Sequence, residues 1–184
     1  MKKGQLIIID GTTSITKTNI CKAMQHQLDT LHVILGLDQF SQLIPPKQKS
    51  NESAAIMANT FLNDVMFSSY KAICTYLDEG IPVISDQFFW NQEWFYNALH
   101  LFSPYEVFYV GIHVSETINN PYPKLKTTNH WNKHSAHNRP ETMIYDFELD
   151  STNLSPDEAA QQIMIAYQNI PNPTAFKGLA QRFL

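Results

Sequence analysis

Leu6-Ile7-Ile8-Ile9 constrains this chain more than any other stretch. A run of aliphatic residues with no polar alternation cannot cover a half-exposed sheet. It needs apolar contact on both faces, as a strand inside a parallel sheet with helices above and below has. The run stops at Asp10-Gly11, and from Lys17 the period changes: Ile20, Met24 and Leu28 recur every four residues, as on an amphipathic helix. Strand, turn and helix therefore open the chain.

The alternation continues. His32 to Leu35 is a second short apolar run, closed by Gly36-Leu37-Asp38, and Asp38 to Asn51 reads as a loop carrying Pro45-Pro46. From Ser53 to Glu79, apolar residues at a 3.6 period predict one long helix, with Gly80 placed as its C-cap. Ile81 to Ser85 is a third strand ending at Asp86, residues 90 to 102 a helix, Val107 to His113 a fourth strand and Ile144 to Leu149 a fifth. Ser155-Pro156-Asp157-Glu158 has the composition of a capping box and opens a helix to about Asn169. Residues 115 to 142, rich in Asn, Thr, His, Lys and Pro, form a long polar surface segment. The expectation is an α/β fold of three layers: a mostly parallel five-stranded sheet with helices on both faces. Residues 1–170 make one domain, and 171–184 a tail that could hold one more short helix.

At 184 residues, a second independent domain has no room. A net charge of −4 and two arginines, Arg139 and Arg182, remove the broad basic footprint of a nucleic-acid coat. Cys21 and Cys74 form no metal or redox motif and read as buried thiols in a reducing compartment. The four-residue apolar run near the start falls short of a signal-peptide core, and no stretch is long enough to cross a bilayer. The expectation is a soluble, cytoplasmic protein with no nucleic-acid or membrane partner; oligomeric state is open.

In a parallel α/β sheet, ligands sit at the carboxyl ends of the strands, which makes Asp10 to Thr18, Asp38 and Asp86 neighbours. After the first strand the chain reads Gly11-Thr12-Thr13-Ser14-Ile15-Thr16-Lys17-Thr18. This is the Walker A spacing, in which backbone N–H groups wrap phosphate oxygens, a lysine ammonium spans them and a hydroxyl reaches Mg²⁺. One position departs: the second glycine is Thr16, whose β-branched side chain stands where backbone must approach phosphate.

With these pieces placed, residues 4 to 169 resemble the chloramphenicol phosphotransferase-like family of P-loop kinases. The resemblance rests on Leu6 to Ser14 leading to Lys17-Thr18, Gly36-Leu37-Asp38, Pro82-Val83-Ile84-Ser85-Asp86, Tyr109-Val110-Gly111-Ile112, and Tyr145 to Ser151, in that order and spacing. It implies a fold similar to shikimate and adenylate kinases and transfer of the ATP γ-phosphate to a hydroxyl of a small molecule. By resemblance, Asp38 is the base that takes the hydroxyl proton, Lys17 acts on the transferred phosphate, and Gly11 to Thr18 hold the nucleotide. Thr18 and Asp86 hold Mg²⁺, and residues 115–142 are the lid. Loops after the second and third strands line the acceptor pocket in that family. Of the six aromatics between Phe88 and Tyr96, Phe88 and Phe89 are therefore assigned to substrate, while Trp94 and Phe95 are assigned to packing.

The lid departs from the family pattern. Residues 115 to 138 contain no arginine; Lys124, Lys126 and Lys133 stand there with His130, His134 and His137, and Arg139 is the nearby guanidinium assigned to nucleotide. Lysine neutralises charge but lacks the bidentate fork. The histidines could present two rings at i and i+4 to a metal, against the simpler reading of a polar lid. Two functions follow: an ATP- and Mg²⁺-dependent phosphotransferase acting on an unidentified small-molecule acceptor, or a pseudokinase that keeps the fold as a binding module. Thr16 and the lid favour the second; Lys17, Thr18, Asp38 and Asp86 favour the first.

Overall fold

The computed structural model describes residues 2–11, 14–36, 39–40, 42, 52–87, 89, 92–113 and 143–184. In chain order they form β1 (Gln5–Gly11), α1 (Ser14–Gln27), β2 (Val33–Ile34), α2 (Glu52–Asp78), β3 (Val83–Gln87), α3 (Gln92–Phe102), β4 (Glu106–His113), β5 (Phe147–Asp150), α4 (Pro156–Asn169) and α5 (Ala175–Phe183). The five strands lie in the order β2-β3-β1-β4-β5, and every pairing is parallel.

The unbroken apolar run of β1 is divided between two cores. Leu6 and Ile8 join Val83, Val107 and Tyr109 under α2, α3 and α5. Ile7 and Ile9 join Ile84, Phe108 and Val110 under α1 and α4. All four β1 residues are fully buried, so no polar residue could alternate with them. Trp94 and Phe95 belong to the first core, where the Trp94 indole N–H donates to Asn63 Oδ1 at 2.8 Å.

Several boundaries differ from expectation. α1 begins at Ser14, three residues before Lys17, so the lysine sits in the helix's first turn. β5 starts at Phe147 rather than Ile144, because the Tyr109 N–H of β4, which would otherwise pair with a backbone carbonyl, is taken by Asp146 Oδ2; the Tyr145 hydroxyl donates to Asp10, and Asp146 Oδ1 accepts from Thr174 and Ala175 backbone N–H groups. Those last two bonds cap α5 and dock the tail, whose Phe176 and Leu179 enter the first core. The capping box at α4 is complete: Ser155 Oγ accepts from the Glu158 N–H, and the Glu158 carboxylate accepts from the Ser155 N–H.

Candidate active site

β1 and β3 are register partners at Ile9 and Asp86 and at Asp10 and Gln87. Alternation sends Asp86 to the α1 side of the sheet and Asp10 and Gln87 to the α2 side. With α1 starting directly above the end of β1, the polar residues of three elements converge at the carboxyl edge.

Lys17 is 3% exposed. Its ammonium donates to the Gly11 carbonyl at 2.6 Å and to the Gln87 carbonyl at 2.6 Å, which pins it between the ends of β1 and β3. One residue on, Thr18 Oγ1 donates to Asp86 Oδ2 at 2.5 Å, a short, charge-assisted contact. The hydroxyl and carboxylate assigned from sequence to a metal therefore touch each other, and both are oxygen donors of the kind a hard cation takes. Among the described residues no cluster of three or more His, Cys, Asp or Glu side chains could hold a metal. Below this pair, burial and then the Asp86 charge push the Cys21 thiol well up from its ordinary value, consistent with an inert, buried sulfur.

Gly36, at the end of the segment after β2, closes the site from the other side. A Cβ there would lie 1.3 Å from Asp86 Oδ1 and 2.6 Å from its Cγ. Only glycine leaves room for the carboxylate, a role the sequence hinted at through an isolated glycine behind an apolar run. The opposite face of the sheet edge holds a carboxylate that the motif does not include. Asp10, fully buried, accepts through Oδ2 from the Tyr109 hydroxyl at 2.8 Å and the Tyr145 hydroxyl at 3.0 Å. The sequence signal for it was a tyrosine in each of two segments that otherwise read as strand.

The remaining assigned residues fall as follows. Thr16 lies in the first turn of α1 and is partly exposed. Phe89 is 4% exposed, edge-on to Phe95 at 5.4 Å and to Tyr109 at 6.4 Å, so its ring belongs to the core beneath the edge. Thr12, Thr13, Asp38, Phe88 and Arg139 lie outside the described residues, as do the side chains of Ser14 and Ile15 and the whole of 115–142 with its lysines and histidines.

The model of the chloramphenicol phosphotransferase-like proteins matches residues 4–168. This chain belongs to that family. Two Mycobacterium tuberculosis relatives from different strains, each provisionally named an O-phosphotransferase, are 32% identical over 205 aligned positions that take in 100% of this chain and 91% of theirs. Among solved structures, the M. tuberculosis APS kinase CysC in complex with AMPPNP and APS superposes with a TM-score of 0.63 at 15% identity, over 91% of this chain and 99% of that one. Shikimate kinase from Aquifex aeolicus gives 0.52 at 11% identity, over 90% and 98%. The fold is that of the P-loop kinases, and the family is one of phosphotransferases. Among the described residues, no helix is long and apolar enough to cross a membrane.

Proposed function

We propose that the chain is an ATP-dependent O-phosphotransferase that moves the γ-phosphate to a hydroxyl of a small molecule. The observation that carries this reading is the pairing of Lys17 with the ends of β1 and β3 beside the Thr18–Asp86 contact. An ammonium at that point can turn from carbonyl oxygens to anionic phosphate oxygens, to which its hydrogen bonds are charge-assisted. Thr18 and Asp86 would hold Mg²⁺, which when bound neutralises charge on the β- and γ-phosphates. Such a metal takes only one or two protein oxygens and fills its shell with water and phosphate, so a two-residue set fits it.

Asp38, by family resemblance, accepts the proton of the acceptor hydroxyl. The hydroxyl oxygen then bonds to the γ-phosphorus as the bond to the ADP oxygen breaks, and the proton stays on the carboxylate. Phe88 borders the acceptor in this reading, while Phe89, packed in the core, supports it from beneath, and Arg139 contacts nucleotide. The acceptor itself is a small molecule defined here only by its hydroxyl.

Thr16 favours the rival reading, a family member that keeps the fold without transfer. A thermal-shift titration together with a transfer assay separates the two. At 100 times its dissociation constant, Mg²⁺-ATP stabilises by about 2.7 kcal/mol, which for a chain of this size raises Tm by roughly 5 to 10 °C. Lys17→Ala should abolish the shift. Asp38→Ala should retain it and lose transfer. No shift at millimolar Mg²⁺-ATP in the wild type would overturn the kinase reading, and loss of binding in Asp38→Ala would remove that residue's role as base.

A further inference from the structure

Asp10 stands one residue before the phosphate loop, on the same face of β1 as Leu6 and Ile8. A third aliphatic residue would continue that face at lower cost, since a buried carboxylate gives up its hydration and recovers it only through well-placed donors. Two of its donors come from outside the loop motif. Tyr109 rises from the middle of β4, while Tyr145 stands at the point where the chain returns after residues 114–142 to begin β5.

Tyr145, half-buried, is held by its ring, its hydroxyl and its neighbour in the chain. Its ring packs against that of Tyr109 with centroids 4.7 Å apart and lies on Gly111, where a Cβ would stand 2.8 Å from two ring carbons. Its chain neighbour Asp146 accepts from the Tyr109 N–H at 2.9 Å and caps α5 through its other oxygen. Ring, hydroxyl and following residue thus tie β4, β5 and α5 to one oxygen at the root of the phosphate loop. The Asp10 charge also adds to burial in pushing the neighbouring Tyr70 hydroxyl up, which places that carboxylate in a dry region where hydrogen bonds to it are strong.

We propose that Asp10 and Tyr145 are positioning residues for nucleotide binding: the Tyr145 hydroxyl holds Asp10, and Asp10 holds Gly11, the residue from which the phosphate loop starts. This rests on the phosphotransferase reading for its benefit to nucleotide, but not for the anchoring itself. Neither side chain touches phosphate in this account. They act through the backbone of Gly11, whose carbonyl also receives Lys17.

The test uses Tyr145→Phe, which removes one hydroxyl and keeps the ring on Gly111, with Asp10→Asn as a second variant that keeps a carbonyl oxygen for the tyrosines. Two quantities are measured on the full chain: amide hydrogen exchange over residues 11–18 in the free protein, and the Mg²⁺-ATP dissociation constant. Losing a hydrogen bond to a charged group predicts about tenfold faster exchange and about tenfold weaker binding in Tyr145→Phe. In Asp10→Asn, which retains an acceptor, both effects should be smaller, about threefold. Exchange over 11–18 and the dissociation constant both within twofold of wild type, with only Tm lowered, would reduce the pair to ordinary structural residues and overturn the proposal. If wild type binds no Mg²⁺-ATP, the phosphotransferase reading fails. The exchange comparison then decides the anchor alone: unchanged loop exchange in both variants refutes it, and faster exchange confined to 11–18 upholds it.

Discussion

Replacing Gly36 with alanine inserts one methyl group at a point where the structure has no space for it. The added carbon would lie 1.3 Å from Asp86 Oδ1 and 3.1 Å from the Asp86 carbonyl oxygen. Carbon and oxygen need more than 3 Å, so the carboxylate must retreat by roughly 2 Å. Asp86 cannot retreat that far and keep Thr18, whose hydroxyl is 2.5 Å from Oδ2. The variant therefore loses a hydrogen bond to a charged group and strains a buried strand end, at a cost of about 2 to 4 kcal/mol. Urea unfolding reads that cost. The functional consequence is more specific: the Mg²⁺-dependent part of ATP affinity should fall at least as far as in Asp86→Asn, while the metal-independent part, which depends on Lys17, changes by less. Unaltered stability together with unaltered magnesium dependence in Gly36→Ala would refute the placement of Asp86.

Four further outcomes follow from the same structure. The Tyr70 hydroxyl is buried with no hydrogen-bond partner among the described residues, so Tyr70→Phe should stabilise by about 1 kcal/mol in chemical denaturation; a loss of that size would reveal a bonded partner. Asp146→Ala removes the two bonds that cap α5 and one to Tyr109 and should cost about 3 kcal/mol, with exchange rising first in α5; unchanged protection there would contradict the docking. Bonds from Ser155 hold the Glu158 carboxyl below the ordinary glutamate range. Its contribution is complete above that range and is lost as pH falls through the lower folded value, so Glu158→Gln, which removes the charge and leaves the Ser155 cap in place, and wild type should converge in stability only in acid; convergence at neutral pH would refute this. Burial raises both thiols, Cys21 more than Cys74, so a thiol reagent at pH 7 should modify Cys74 slowly and Cys21 only on unfolding.

The parallel sheet was legible because β1 carries its constraint locally: four aliphatic residues in a row demand two cores, and two cores are present. Lys17, Thr18 and Asp86 were legible because motif spacing and strand ends bring them to one edge. The Asp10–Tyr109–Tyr145 cluster was not, since its members are 99 and 135 residues apart and each alone reads as a strand or turn residue. The late start of β5 has the same origin. Ile144 to Leu149 alternates as a strand would, but the tertiary bonds of Tyr145 and Asp146 take precedence over local pattern. The placement of α5 was hidden for a related reason: its N-terminal cap is supplied from 28 and 29 residues upstream, not by its own Thr174, which makes no side-chain cap bond.

Whether Lys17 holds nucleotide is decided by titration calorimetry of ATP into the folded chain, with and without magnesium and in parallel with Lys17→Ala. One site per chain is expected, with affinity strengthened by magnesium about tenfold or more and binding abolished by Lys17→Ala while the fold persists. Saturable binding that survives Lys17→Ala undiminished, or none in the wild type at millimolar nucleotide, would contradict it.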